Sequence, residues 1–184
     1  MKILHIMTMQ RYIDYMRLAE ERFSCRAYSE KEPTAEQLSM LVEAARIAPS
    51  ACNRQPWRLC VIEPSDREGR DIVVSAYDRE WIRTAPAFIV VCGMATEAWV
   101  RPYDGHNHLD VDLSIATQQI CLAATAMGLG TCWICNFDPA SLSVGLNLPK
   151  GVVPMAIIPV GYPAEGLEPK AKVRKSTDEI LLKR

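Results

Sequence analysis

Residues Leu109 to Met127 read as the longest helix of the chain, and as one that is apolar on nearly every side. One face carries Leu113, Ala116, Ile120, Cys121, Ala124 and Met127, and another carries Ile115, Leu122, Ala123 and Ala126. A helix apolar on several faces must be covered on several faces. A chain of 184 residues is long enough for one domain with a real core, but offers limited material for such a sheath. A second subunit is the natural additional cover, which predicts a homodimer. The alternative is a central helix wrapped by the domain's own sheet and helices.

The remaining elements follow from periodicity and punctuation. An apolar stripe of Met9, Tyr12, Ile13, Met16, Ala19 and Phe23 predicts a first helix from about Gln10 to Arg22. A second helix starts at Thr34, where Gln37 three residues on completes a capping box, and Pro49 stops it. Leu59 to Ile62 and Ala87 to Cys92 read as buried strands, with a helix from Asp66 to about Tyr77 between them. An irregular stretch from Thr96 to His108 holds Trp99, Tyr103 and two histidines, a composition suited to a lid or pocket wall. Asp110 reads as a residue that helps to start the long helix. Gly128-Leu129-Gly130 ends it. Thr131 to Ile134 is a third strand, Asp138-Pro139 opens a further helix, and Pro154 to Val160 is a fourth strand. The tail from Lys170 is charged but ends in Ile180-Leu181-Leu182, a group suited to docking on a neighbouring chain. No repeat divides the sequence, so residues 1–184 form a single domain.

The segment Ala48 to Trp57 carries the densest information about function. Small Ser50 and Ala51 after Pro49 let a flat ligand approach the backbone. Pro56 biases Gln55 toward an extended shape, in which the amides of Asn53 and Gln55 face one way and suit the polar edge of a planar heterocycle. The same residues equally suit a structural turn. Arg22-Phe23-Ser24-Cys25-Arg26 places two guanidinia and a hydroxyl within five residues, a set able to hold a phosphate. Lys172, Arg174 and Lys175 form a second basic group; if the two ends meet in space, they make one anion site.

Other classes are excluded or weak. A net charge of −1 without a basic block disfavours nucleic acid, and the apolar runs are too short to span a membrane. Seven scattered cysteines, an odd number, fit reduced thiols in a cytoplasm. Gly128-Leu129-Gly130 ends a helix rather than opening one and cannot be a dinucleotide fingerprint. Cys132-x-x-Cys135 lies in an extended segment, where residues three apart point to opposite faces, so thiol redox chemistry is disfavoured. His106 and His108 with that cysteine pair could supply zinc ligands, but the long helix lies between them. No nucleophile–base arrangement is visible.

Taken together, Arg22 to Arg26, Ala48 to Trp57, Asp112 through Gly128-Leu129-Gly130-Thr131, Val160 to Pro163 and Lys172-x-Arg174 resemble the FMN-dependent nitroreductase family, in order and over nearly the whole chain. The resemblance implies an α+β fold, an antiparallel sheet wrapped by helices, assembled as an intertwined homodimer with two FMN molecules at its interface. It implies phosphate contacts from Arg22, Ser24, Lys172 and Arg174, and Arg26 near the pyrimidine edge, where its charge favours flavin reduction. It implies that Pro49, Ser50, Ala51 and Asn53 belong to the loop laid on the flavin by the partner chain, beside which Gln55 is a further cofactor-binding candidate through its amide, and that the strand at Cys135 and Asn136 supplies a backbone N–H to the hydride-accepting nitrogen. Hydride arrives from NAD(P)H and leaves, in a ping-pong cycle, for nitroaromatics, quinones or similar small acceptors; because the flavin carries this chemistry, no protein acid, base or nucleophile is required. Phe23 stands where a second Arg is common, so it can contribute only through its backbone, and Cys135-Asn136 replaces a Glu-Gly of some relatives. Residues 1–8 lie outside the resemblance, which allows a start at Met9; Thr96 to His108 has no counterpart and is expected to set substrate choice. A flavin-binding or flavin-supply protein without turnover, or a zinc or thiol redox protein, are the alternatives.

Overall fold

The structure, a computed structural model, describes residues 2–182, with side chains from Met9 onward. Four strands, β1 (Trp57–Ile62), β2 (Ala87–Met94), β3 (Gly130–Thr131) and β4 (Val152–Gly161), form one antiparallel sheet in the order β1-β2-β4-β3. Six helices surround it: α1 (Lys2–Glu21), α2 (Ala35–Arg46), α3 (Arg67–Ala76), α4 (Leu109–Ala126), α5 (Pro139–Gly145) and the single turn α6 (Thr177–Ile180). The α+β architecture expected from the sequence is therefore present.

The apolar strands are explained by burial on both faces. Along β2, Ala87, Ile89 and Val91 point into a core shared with Leu41 of α2 and Leu113 and Ile120 of α4. Phe88, Val90 and Cys92 point the other way, onto Val73 of α3 and Leu142 of α5. The strand ends extend beyond the expected limits, because pairing continues from Trp57 opposite Gly93 to Ile62 opposite Phe88. The expected third strand shrinks to Gly130–Thr131; beyond it, Ile134 alone bridges Ile157.

Helix caps follow the chemistry of their residues. The Thr34 and Gln37 capping box is complete, Asp66 accepts from Gly69 N–H, and Asp138 accepts from Ala140 and Ser141 N–H ahead of Pro139. At the end of α4, Gly128 takes φ +72°, while its N–H and that of Leu129 donate to Thr125 and Ala124 carbonyls, a Schellman closure. At the start of α4, Asp110 stands in the first turn, on its exposed side, where its charge favours the helix N-terminus as expected; Asn107 Oδ1 accepts the Leu109 N–H.

Two helices leave apolar surface open, and the first differs from expectation in its start. Helix α1 begins at Lys2 rather than near Gln10, and its stripe does not face a core: Met9, Tyr12, Ile13 and Met16 are 49, 59, 42 and 37% exposed. On α4, Leu113, Ala116, Ile120, Cys121 and Ala124 are sealed by the sheet and α2, whereas Ile115, Leu122 and Ala123 are only half-buried and Ala126 is exposed. The domain's own elements thus cover one face of α4 and leave the second partly open. Ile180, Leu181 and Leu182 are also exposed.

Ile120→Ala is expected to cost about 2–5 kcal/mol in urea unfolding, whereas Val144→Ala, on the 81% exposed site of α5, should change it by less than about 0.5 kcal/mol. Burial, with Cys60 nearby, pushes the Cys92 thiol from its ordinary 9.0 up to about 12. The unfolded chain then loses this proton first, so native stability falls as pH rises from 9 toward 12. Cys92→Val is expected to flatten that fall in melts recorded across the interval.

Candidate functional site

The two basic segments at opposite ends of the chain meet in one cleft of about 450 Å³, lined by Arg22, Phe23, Ser24 and Arg26 and by residues 167–174. Arg22, Arg26, Lys170, Lys172 and Arg174 face the single carboxylate of Glu168 there. The condition set by the sequence, that the two ends meet in space, is met by this geometry.

Local structure explains how the first segment is aimed. Ser24 pairs with Thr131 in a parallel bridge, and Cys25 N–H donates to Thr131 O at 2.8 Å. Extended backbone sends successive side chains to opposite sides, so Cys25 is fully buried while Ser24 and Arg26 are exposed. Only glycine fits opposite Cys25: a Cβ on Gly130 would lie 2.7 Å from Cys25 Sγ. Tyr28, 6% exposed, donates its hydroxyl to Cys25 O at 3.1 Å, and burial pushes its phenol well above the usual range. Sequence reading passed over Tyr28, whose only signal was a tyrosine two residues beyond the basic segment.

The second segment has no regular structure, so contact must hold it. Lys172 Nζ donates to Glu20 O, a carbonyl in the last turn of α1 that has no partner within the helix. Loss of hydration in the cleft, followed by the guanidinia of Arg22 and Arg174, lowers the Lys172 ammonium from its ordinary range. This crowding of like charge is what an incoming anion relieves.

The Pro49–Gln55 loop does not line that cleft within one chain. Ser50 and Ala51 are half-buried, and Pro49, Asn53 and Gln55 are exposed. The extended conformation expected for Asn53 and Gln55 is not adopted. Cys52, Asn53 and Gln55 have φ of 50, 52 and 51°, and Gln55 Nε2 donates to Asn53 O and Oδ1, so one amide is spent on the other. The bias imposed by Pro56 yields here to hydrogen bonds that close the loop on itself, among them Gln55 N–H to Ser50 Oγ at 2.9 Å. A buried carboxylate, Asp112, accepts the Ala51 N–H at 2.8 Å.

Cys135 and Asn136 are exposed beyond Ile134, and neither N–H has a hydrogen-bond partner among the described residues. Cys132, 3% exposed, and Cys135, exposed, diverge as their spacing dictates. Residues 96–108 form an ordered loop closed by a Val100–Asn107 bridge, with Trp99 edge-on to His108 at 4.7 Å and His106 at 4.9 Å from His108. Among the described residues, no three His, Cys, Asp or Glu side chains converge as metal ligands, and no helix is long and apolar enough to cross a membrane.

A model of the Nitroreductase family matches residues 19–76 and 71–162. A crystal structure of a nitroreductase family protein from Clostridium difficile 630 is 36% identical, with a TM-score of 0.81 over 90% of this chain and 95% of that one. A crystal structure from Desulfovibrio desulfuricans, solved in complex with FMN, is 28% identical, with a TM-score of 0.78 over 92% of this chain and 95% of that one. The FMN reductase [NAD(P)H] of Bacillus subtilis is 31% identical over 157 residues, covering 77% of this chain and 63% of its own.

Inorganic phosphate added to the flavin-free protein is expected to raise the Lys172 ammonium pKa, since it opposes the two guanidinia that lower it. Nitrogen-detected NMR titration of the lysine ammonium groups reads the shift, and an unmoved resonance would refute an anion site at Lys172.

Proposed function

Because the chain belongs to the nitroreductase family, we propose that it is an FMN-dependent oxidoreductase that passes hydride from NAD(P)H to nitroaromatics, quinones or similar small acceptors by a ping-pong cycle. The observation that carries this reading is the convergence of residues 22–26 with 167–174 in one cationic cleft. Five cations and a hydroxyl, opposed by one carboxylate, form a donor set matched to a phosphate monoester, and the cleft lies within the volume range of small-molecule sites.

Arg22, Ser24, Lys172 and Arg174 would hold the FMN phosphate, and Phe23 contributes only its backbone. Arg26, on the same edge of the bridge, would place positive charge beside the pyrimidine ring and favour the electron-rich state. When bound, FMN supplies hydride acceptance and donation. The unpartnered N–H groups of Cys135 and Asn136 are available to the ring. Pro49, Ser50, Ala51, Asn53 and Gln55 would cover it from the partner subunit. That assignment is supported by two facts: the loop does not line its own chain's cleft, and the apolar outer faces of α1 and α4 are left for a second copy. A homodimer that buries them completes both sites. Residues 96–108, held against the start of α4, would select the acceptor. Reduced thiols and a NAD(P)H co-substrate suit the cytoplasm.

The protein reconstituted with FMN should be yellow, sediment as a dimer and bleach anaerobically with NADH or NADPH. A colour that neither nicotinamide bleaches would mark a flavin-binding protein without turnover, and failure to retain FMN would defeat the assignment. Arg22→Ala is expected to weaken FMN retention by about tenfold, the cost of one charge-assisted hydrogen bond, as read by fluorescence titration.

A further inference from the structure

The loop Ala48 to Trp57 is held in a conformation that its sequence does not favour. Three residues within four, Cys52, Asn53 and Gln55, lie in the left-handed region at φ 50, 52 and 51°, and none is glycine. Outside glycine and asparagine such conformers are strained, and they persist only where surrounding structure imposes them. Most of the loop's hydrogen bonds are internal: Asn53 N–H to Ser50 O, Arg54 N–H to Ala51 O, and Gln55 N–H to Ser50 Oγ. Among the described residues, a single hydrogen bond ties residues 50–55 to another element, Ala51 N–H to Asp112 Oδ1 at 2.8 Å.

Asp112 is an unusual anchor. It sits in the first turn of α4, is 1% exposed, and leaves Oδ2 buried without a partner. An unmatched buried acceptor is costly, so stability alone does not account for a carboxylate here. The α4 N-terminus, where unpaired N–H groups favour negative charge, makes the site tolerable.

We infer that Asp112 is a positioning residue of the oxidoreductase. By fixing the Ala51 N–H it sets the left-handed turn at Cys52 and Asn53, and so the surface that this loop presents to the flavin of the partner subunit. The inference rests on the proposed function for its catalytic meaning, but the latch itself is a property of the chain without ligand.

The test therefore has two levels. Amide hydrogen exchange across residues 51–55 is followed first in FMN-free protein, then in the reconstituted dimer together with the visible spectrum, KM for NAD(P)H and kcat. Asp112→Ala removes the acceptor, whereas Asp112→Asn keeps an oxygen in place. Ala51→Pro removes the donor from the other side without touching the buried carboxylate; Ser50 is already extended, at φ −138° and ψ 160°, as a following proline requires. Asp112→Ala and Ala51→Pro are each expected to speed loop exchange by about ten- to a hundredfold. In the reconstituted dimer both should shift the flavin absorption and raise KM more than they lower kcat, and Asp112→Asn should stay near the parent. The double variant should match the single ones, since all remove the same bond. Should Asp112→Ala fail to fold, Ala51→Pro carries the test alone. Unchanged exchange in folded variants, or effects that simply add, would overturn the inference. A parent protein that never turns yellow, with the exchange result intact, would overturn the proposed function and leave the latch standing.

Discussion

The approach of Cys25 to Gly130 governs where everything else can be. No side chain larger than hydrogen fits at Gly130, and that absence lets the segment after α1 lie beside β3 as a parallel neighbour. Once the contact is made, alternation decides the rest. Cys25 goes inward, and Ser24 and Arg26 go outward into the same cleft as Arg22. Tyr28 locks the next turn by donating its hydroxyl to the Cys25 carbonyl. The cationic edge is thus a by-product of close packing at a glycine rather than of any charge–charge design.

Much of this was legible from residue order. Local chemistry made Thr34, Asp138-Pro139 and Gly128 readable as helix boundaries, because each acts on backbone groups a few residues away. The continuous apolar runs of β2 and β4 were readable as strands buried on both faces. Where distant groups decide, the sequence was silent or misleading. Gln55 precedes a proline and should be extended, yet hydrogen bonds to Ser50 and Asn53 hold it left-handed. Asp112 gave no local signal of its role, which only its burial and its bond from the Ala51 N–H reveal. The stripe on α1 was found by periodicity, but periodicity names an apolar face without naming what covers it.

The basic cluster at 22–26 and that at 172–175 show the same division. Each alone resembles an ordinary exposed charge run. Their value as a pair depends on the path of some 140 intervening residues, which composition cannot report. The residues alone allowed one shared site only if the ends met, and the cleft shows that they do, around five cations and a single carboxylate.

The bond from Lys172 to the last turn of α1 makes a loop of the whole polypeptide, with head and tail clasped at one point. An exposed strand of backbone with no ladder or helix to protect it runs up to that clasp, so a protease has an easy cut there. One nick ahead of Lys172 would release half of the cationic grip while leaving the sheet untouched.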